Sequence, residues 1–256
     1  MSHILLEKLA LPSDVRIDQR VPKKMLLEHG APTAADRRLI QDGISELIWA
    51  AALKPNNIGV PAYRDEQREY LEIAVLAAAL RPKAKLGRLQ ELVHRAVPYP
   101  VVLLTSQGDT LTISLAQKRW SQGEGGKIVL DSDVVACELQ VDLCILTPGV
   151  IETAFLDSLS LAQQPNLHLF QLYQGWIDRV EALQAARISG TFHLKVGLDQ
   201  LKERRIAIDD HARLQREIVS LRAQAAKQKQ FNRRVELNLH IQQLETKLLE
   251  AKQKLS

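Results

Sequence analysis

The chain has 256 residues, 46% of them hydrophobic and 25% charged, enough for one sizeable core with an appendage or for two small domains. Aromatic residues make up only 4%, so Leu, Ile, Val and Ala must fill most of that core. No apolar run approaches the ~18 residues of a transmembrane helix, and Cys137 and Cys144 form neither a Cys-x-x-Cys pair nor a Cys/His cluster, which excludes a zinc-ribbon framework.

The net charge of +4 is concentrated at one end. Leu198–Ser256 holds 13 Lys and Arg against 8 Asp and Glu, whereas the rest of the chain holds 21 against 22. Met1–Ala10, with Glu7 and Lys8 inside a short apolar stretch, lacks the layout of a signal peptide, so a cytoplasmic protein is expected.

In chain order, residues 1–32 read as an irregular lead-in. Its basic cluster, Arg20-Val21-Pro22-Lys23-Lys24, suits a surface strand or loop. Thr33, with Asp36 three residues on, is placed to cap a helix. Ile40, Ile44, Leu47, Ile48 and Ala51 continue at helical spacing past Trp49, and Lys54-Pro55-Asn56-Asn57 stops the run. Tyr70–Leu80 is Ala-rich, which suits a helix, but Leu71, Ile73 and Val75 alternate and the run is apolar on both faces, so a central, doubly buried strand is expected. Residues 85–96 place Leu86, Leu89, Val93 and Ala96 on one helical stripe, ended by Pro98-Tyr99-Pro100. Val101–Thr105, a turn at Ser106-Gln107-Gly108-Asp109, and Thr110–Ala116 with its alternating Leu111, Ile113 and Leu115 predict a hairpin. Gly123-Glu124-Gly125-Gly126 reads as a further hairpin turn rather than a phosphate cradle, with a third strand over 127–137.

This order predicts an α+β fold: a mixed β-sheet flanked by helices, with a parallel crossover between its first two strands. Helices then follow over 150–163 and, capped by Asn166, over 167–188, with Leu169, Tyr173, Trp176, Val180 and Leu183 facing inward. Gly190-Thr191-Phe192 breaks the chain before a long C-terminal arm. The expected organisation is a head (1–146), a helical connector (147–197) and a basic helical arm (198–256).

The arm contains no Gly or Pro. Leu237, Ile241, Leu244, Leu248, Ala251 and Leu255 fall at an unbroken 4-3-4-3-4 spacing, the seam of a coiled-coil-like contact. Leu214, Ile218, Leu221 and Ala225 form a second seam. Continued downstream, that second phase reaches Gln228, Asn232, Val235 and Leu239, two positions out of step, a rotation of about 200°. Either one long helix offers two faces to two partners, or the chain folds back as a helical hairpin. In the first case the seam supports self-association or packing against a partner helix; in the second it is satisfied internally.

Between Ile218 and Val235 the sequence carries Arg222, Lys227, Lys229, Arg233 and Arg234 and no acid. Phe231 and Asn232 lie in the same band, adding an aromatic face and an amide. Such a band suits nucleic acid or an acidic protein surface, against the plainer reading of a solvated helix face. Lys118, Arg119 and Trp120 form a second, smaller set suited to phosphate contact and base stacking.

No Gly-x-Gly-x-x-Gly, P-loop, His-Glu-x-x-His or Gly-x-Ser-x-Gly pattern is present. Asp109 ahead of a strand running into Gln117-Lys118-Arg119 partly matches a metal-dependent nuclease, but the second acid such a site needs is missing. No catalytic residue, metal or cofactor is therefore assigned.

Val97-Pro98-Tyr99-Pro100-Val101-Val102-Leu103, Ala116-Gln117-Lys118-Arg119 and above all Lys229-Gln230-Phe231-Asn232-Arg233-Arg234-Val235-Glu236-Leu237-Asn238 resemble the signature stretches of the bacterial domain-of-unknown-function 4391 family. Arg20-Val21-Pro22-Lys23-Lys24 is similar to that family's usual start. The resemblance runs from about Val15 to Leu249 and carries no established activity. It implies a setting beside helicases and DNA methyltransferases of restriction-like or phage-defence clusters. A non-catalytic adaptor partnered by such a subunit is the expected function. The alternative is a metal-dependent nuclease with an unrecognised site.

Overall fold

Thr33 caps the first long helix as its spacing predicts. In the computed structural model, which describes residues 3–123, 128–140, 149–194 and 197–255, the Thr33 side chain accepts from the Asp36 amide and its hydroxyl donates to the Asp36 carboxylate at 2.8 Å. Glu124–Gly126, Lys127 and Cys144 lie outside the described residues.

That helix, α3 (Ala34–Gly43), stops earlier than its periodicity suggests. Ile44–Leu53 is a strand, β2, hydrogen-bonded on both sides, to β1 (Arg16–Arg20) and to β5 (Ile73–Leu80). The helical reading of 44–51 is corrected, and the cause is burial. Ala50 to Leu53 are buried consecutively, on both faces, so no two-residue alternation was visible and the apolar positions fitted a 3.6 period by coincidence.

The expected irregular lead-in is also structured. It forms α1 (His3–Lys8), β1 and α2 (Lys23–His29), and the basic cluster spans the end of β1 and the start of α2. Gly30 lets α2 end against the next layer: a Cβ there would meet the Ala96 Cβ at 2.6 Å and the Leu92 carbonyl at 2.7 Å.

A short helix α4 (Pro55–Ile58) and a two-stranded ribbon of β3 (Tyr63–Arg64) and β4 (Glu69–Tyr70) lead to β5, which is central and doubly buried as expected. α5 (Leu86–Ala96) is the crossover, and β6 (Val101–Gln107) pairs with β5 in parallel. A two-residue turn, with Gly108 at φ 56°, returns the chain as antiparallel β7 (Thr110–Leu115). The expected third strand is instead divided. β8 (Lys118–Trp120) and β9 (Ile128–Leu130) form their own ribbon, and only β10 (Val135–Gln140) rejoins the sheet beside β7. The sheet order is β1-β2-β5-β6-β7-β10, mixed in direction.

One core packs Leu26 of α2, Ile40 of α3 and Leu89, Leu92 and Val93 of α5 onto Leu47, Leu76, Ala78, Val101 and Leu103 of the sheet. Val75, Val102 and Leu104, on the opposite pleat, are buried as well. Helices α6 (Val150–Ser158) and α7 (Leu169–Ser189) follow. The Tyr173 hydroxyl accepts from the Ala116 amide and donates to the Val101 carbonyl at 2.8 Å, tying α7 to the ends of β6 and β7.

The chain divides into two compact units, Met1–Val180 and Glu181–Ser256. The cut falls within α7, so the expected 147–197 connector is shared between them. The second unit settles the arm. α8 (Leu198–Lys227) and α9 (Phe231–Gln253) are separate helices joined at Gln228–Gln230, the place where the phase breaks. Leu214, Ile218, Leu221 and Ala225 of α8 pack against Leu237, Ile241, Leu244 and Leu248 of α9. Leu255 packs with Ala185 and Ala207. The arm is an antiparallel hairpin whose seam is covered by its own chain, so the seam needs no second copy and no partner helix.

Candidate nucleic-acid interface

The hairpin tip is built from what its sequence lacks. Gln228-Lys229-Gln230 contains no residue that prolongs the α8 stripe, and both glutamines adopt extended backbone (ψ 121° and 122°), which breaks the helix over three residues. The Gln230 amide donates to the Gln228 side chain at 3.1 Å, a local bond that holds the corner. No side chain caps the N-terminus of α9. Its unpaired amides carry the positive end of a helix dipole, but the C-terminal carbonyls of α8 lie at the same corner and oppose it. Side-chain charge therefore decides the potential there.

That charge is positive. Of the five cations predicted for the band, Arg222 is diverted: it forms an interhelical ion pair with Glu245 at 2.6 Å. Lys227, Lys229, Arg233 and Arg234 are exposed and make no ion pair among the described residues. Lys227, Arg233 and His240, with Gln224, Gln228, Glu236 and Leu237, line an open cleft of about 580 Å³. Phe231 is 67% exposed, and the Arg234 guanidinium lies over its ring at 5.8 Å. Asn232 is exposed beside them. The structure thus brings Lys227, Lys229, Phe231, Asn232, Arg233 and Arg234 to one corner.

Leu237, Ile241, Leu244, Leu248 and Leu255, the predicted seam, face the hairpin interior or the base of the unit. The exposed residues on the opposite side of α9, Val235 (40%) and Leu239 (55%), enter the sequence reading only as the continuation of the α8 phase and not as site residues. The phase break held the signal for them. They continue the α8 register, so in a hairpin they must point away from the seam.

The second predicted set does not form a surface site. Lys118 is 3% exposed, and its ammonium donates to the His94 carbonyl and, at 2.7 Å, to the Val97 carbonyl, closing the C-terminal turn of α5. Burial holds its pKa down at about 7. Arg119 is paired with Asp131 at 3.0 Å, and Asp131 also receives Arg68 at 2.5 Å. Trp120 is half-buried, its amide bonded to the Gln67 carbonyl. Phosphate contact through Lys118 and Arg119 is corrected on these grounds: one is inside and the other is already neutralised. Asp109 is exposed in the β6–β7 turn.

Sequence reasoning also missed the polar row next to Lys118. Gln90 and His94, four apart on α5, point at the sheet; Gln90 reaches Thr105, and His94 Nε2 lies 3.1 Å from the Ser114 hydroxyl. Burial, with Lys118 nearby, holds His94 neutral, its pKa down at about 3. Among the described residues no group of three or more His, Cys, Asp or Glu side chains is placed to share a metal ion. Among the same residues no helix is long and apolar enough to cross a membrane.

The fold and this corner define a class: an α+β unit followed by a basic helical hairpin. The family model described as Domain of unknown function (DUF4391) matches residues 9–248, and the chain belongs to that family. No curated protein and no solved structure matches it.

Proposed function

We propose that the protein is a non-catalytic accessory subunit that holds nucleic acid at the tip of its C-terminal hairpin. One observation carries this reading. Four cations without an ion-pair partner among the described residues crowd a three-residue turn, although like charges so placed repel one another. A phosphate backbone relieves that repulsion and releases its own counterions. In the setting that the family resemblance implies, the partner is a helicase or DNA methyltransferase subunit of a restriction-like or phage-defence system. The α+β unit is then the docking body and the hairpin the strand-holding arm.

Fluorescence anisotropy with labelled DNA at several salt concentrations tests the reading. If the four cations meet phosphates, log Kd against log salt has a slope of about 3. Replacing Arg233 and Arg234 by Gln flattens it by about 1.5 to 2 and weakens binding to all sequences alike. Absence of binding at low salt assigns the cations to an acidic protein surface and ends the nucleic-acid reading.

A further inference from the structure

We propose that the hairpin tip selects unpaired nucleic-acid strands over duplex, with Phe231 as the base-stacking platform. This deepens the nucleic-acid reading above and rests on it. Cations alone do not distinguish a single strand from a duplex, since both present phosphates. Phe231 does. It is the first residue of α9, 67% exposed, with the Arg234 guanidinium 5.8 Å from its ring centroid. A large aromatic side chain left in water at a helix start contributes nothing to the hairpin core, which is made by Leu214, Ile218, Leu237, Ile241 and Leu244.

In a duplex the base faces are already stacked on one another and only their edges are open. A single strand has free π-faces, and any base can lie on a phenyl ring. Asn232, next along the chain and exposed, supplies both a donor and an acceptor for a base edge. Val235 and Leu239 follow Phe231 at four-residue steps, about 6 Å apart along the helix, and extend the apolar face for a second base. Arg234, whose guanidinium lies over the Phe231 ring, supplies charge beside this strip, and Lys227, Lys229 and Arg233 add theirs at the same hairpin corner. An anionic lipid surface also rewards cations beside apolar residues. The strip favours a strand because it is interrupted: Gln242 and Thr246 take the next two positions of the same face and separate it from the exposed Leu249, so the continuous apolar area ends at Leu239.

The test uses the full chain, a labelled thymidine oligonucleotide, a duplex of equal length, and vesicles containing phosphatidylserine. Wild type is expected to bind the single strand more tightly than the duplex. Phe231→Leu, which keeps an apolar side chain but removes the ring, is expected to weaken single-strand binding about tenfold and leave duplex binding unchanged. Far-UV circular dichroism should be unaltered, since the ring lies outside the hairpin core. If Phe231→Leu leaves the single-strand Kd unchanged, or weakens both ligands equally, stacking is overturned while the polyanion reading stands. If wild type binds neither nucleic acid at low salt, both readings fall. Vesicle binding without a single-strand preference overturns the platform in favour of a lipid surface.

Discussion

Lys118 condenses the chemistry of the first unit into one side chain. Its sequence context, between Gln117 and Arg119 at a strand end, resembles a surface cation, yet the amine is turned inward onto the last carbonyls of α5. Desolvation holds its pKa at about 7, against the ordinary 10.5. Between these values the unfolded chain holds a proton on Lys118 that the folded chain has lost, so unfolding takes up a proton. Stability attributable to this group therefore rises with pH from about 7 towards 10.5, by up to about 1.4 kcal/mol per pH unit, and is flat below 7. Chemical denaturation at a series of pH values should show this rise in the wild type and not in Lys118→Met. Parallel profiles for the two proteins would mean that the amine is solvated. Near pH 10, where the folded amine is uncharged and still donates, the variant is also expected to lose about 1–3 kcal/mol, because the carbonyls keep no donor.

At the scale of elements, the hairpin turns on four or five apolar layers. Leu244 is buried and Leu248 packs beside it against α8. Placing carboxylates at both positions sets two charges inside the seam without partners, which costs more than the helices gain from pairing. Leu244→Asp with Leu248→Asp is expected to remove much of the helical signal of the second unit and lower the melting temperature, with no change in sedimentation mass. A fall in mass with the helices intact would show that the seam joins two chains instead. Arg222 belongs to the same element. Its exposed ion pair with Glu245 is worth about 0–1 kcal/mol, so it brings little stability, but it removes Arg222 from the set of free cations at the tip.

For the molecule as a whole the question is whether net charge or its placement governs binding. Arg233→Gln with Arg234→Gln and Arg20→Gln with Lys24→Gln remove the same two charges. The first pair is taken from the hairpin tip and the second from the exposed start of the α+β unit. Only the tip variant should lose DNA affinity and salt dependence in anisotropy titrations. Equal losses would reduce the interaction to long-range attraction between a basic protein and a polyanion.

Local chemistry by itself determined much of this protein. Thr33 and Asp36 wrote a helix start, alternation wrote β7, apolar content on both faces wrote β5, and the out-of-step seams marked the corner at Gln228–Gln230. The basic band was equally legible, because charge needs no fold to be counted. Tertiary structure decided what depended on a neighbour. β2 became a strand because β1 and β5 offered hydrogen bonds on both sides, which outweighed a helical period in its apolar residues. The arm became a hairpin because α8 and α9 bury each other's seams, a choice that periodicity left open. Lys118 and Arg222 left the list of free cations because two carbonyls and a glutamate, distant in sequence, are close in space. A side chain's charge is set by its own chemistry, but its availability is set by what the fold places within about 3 Å of it.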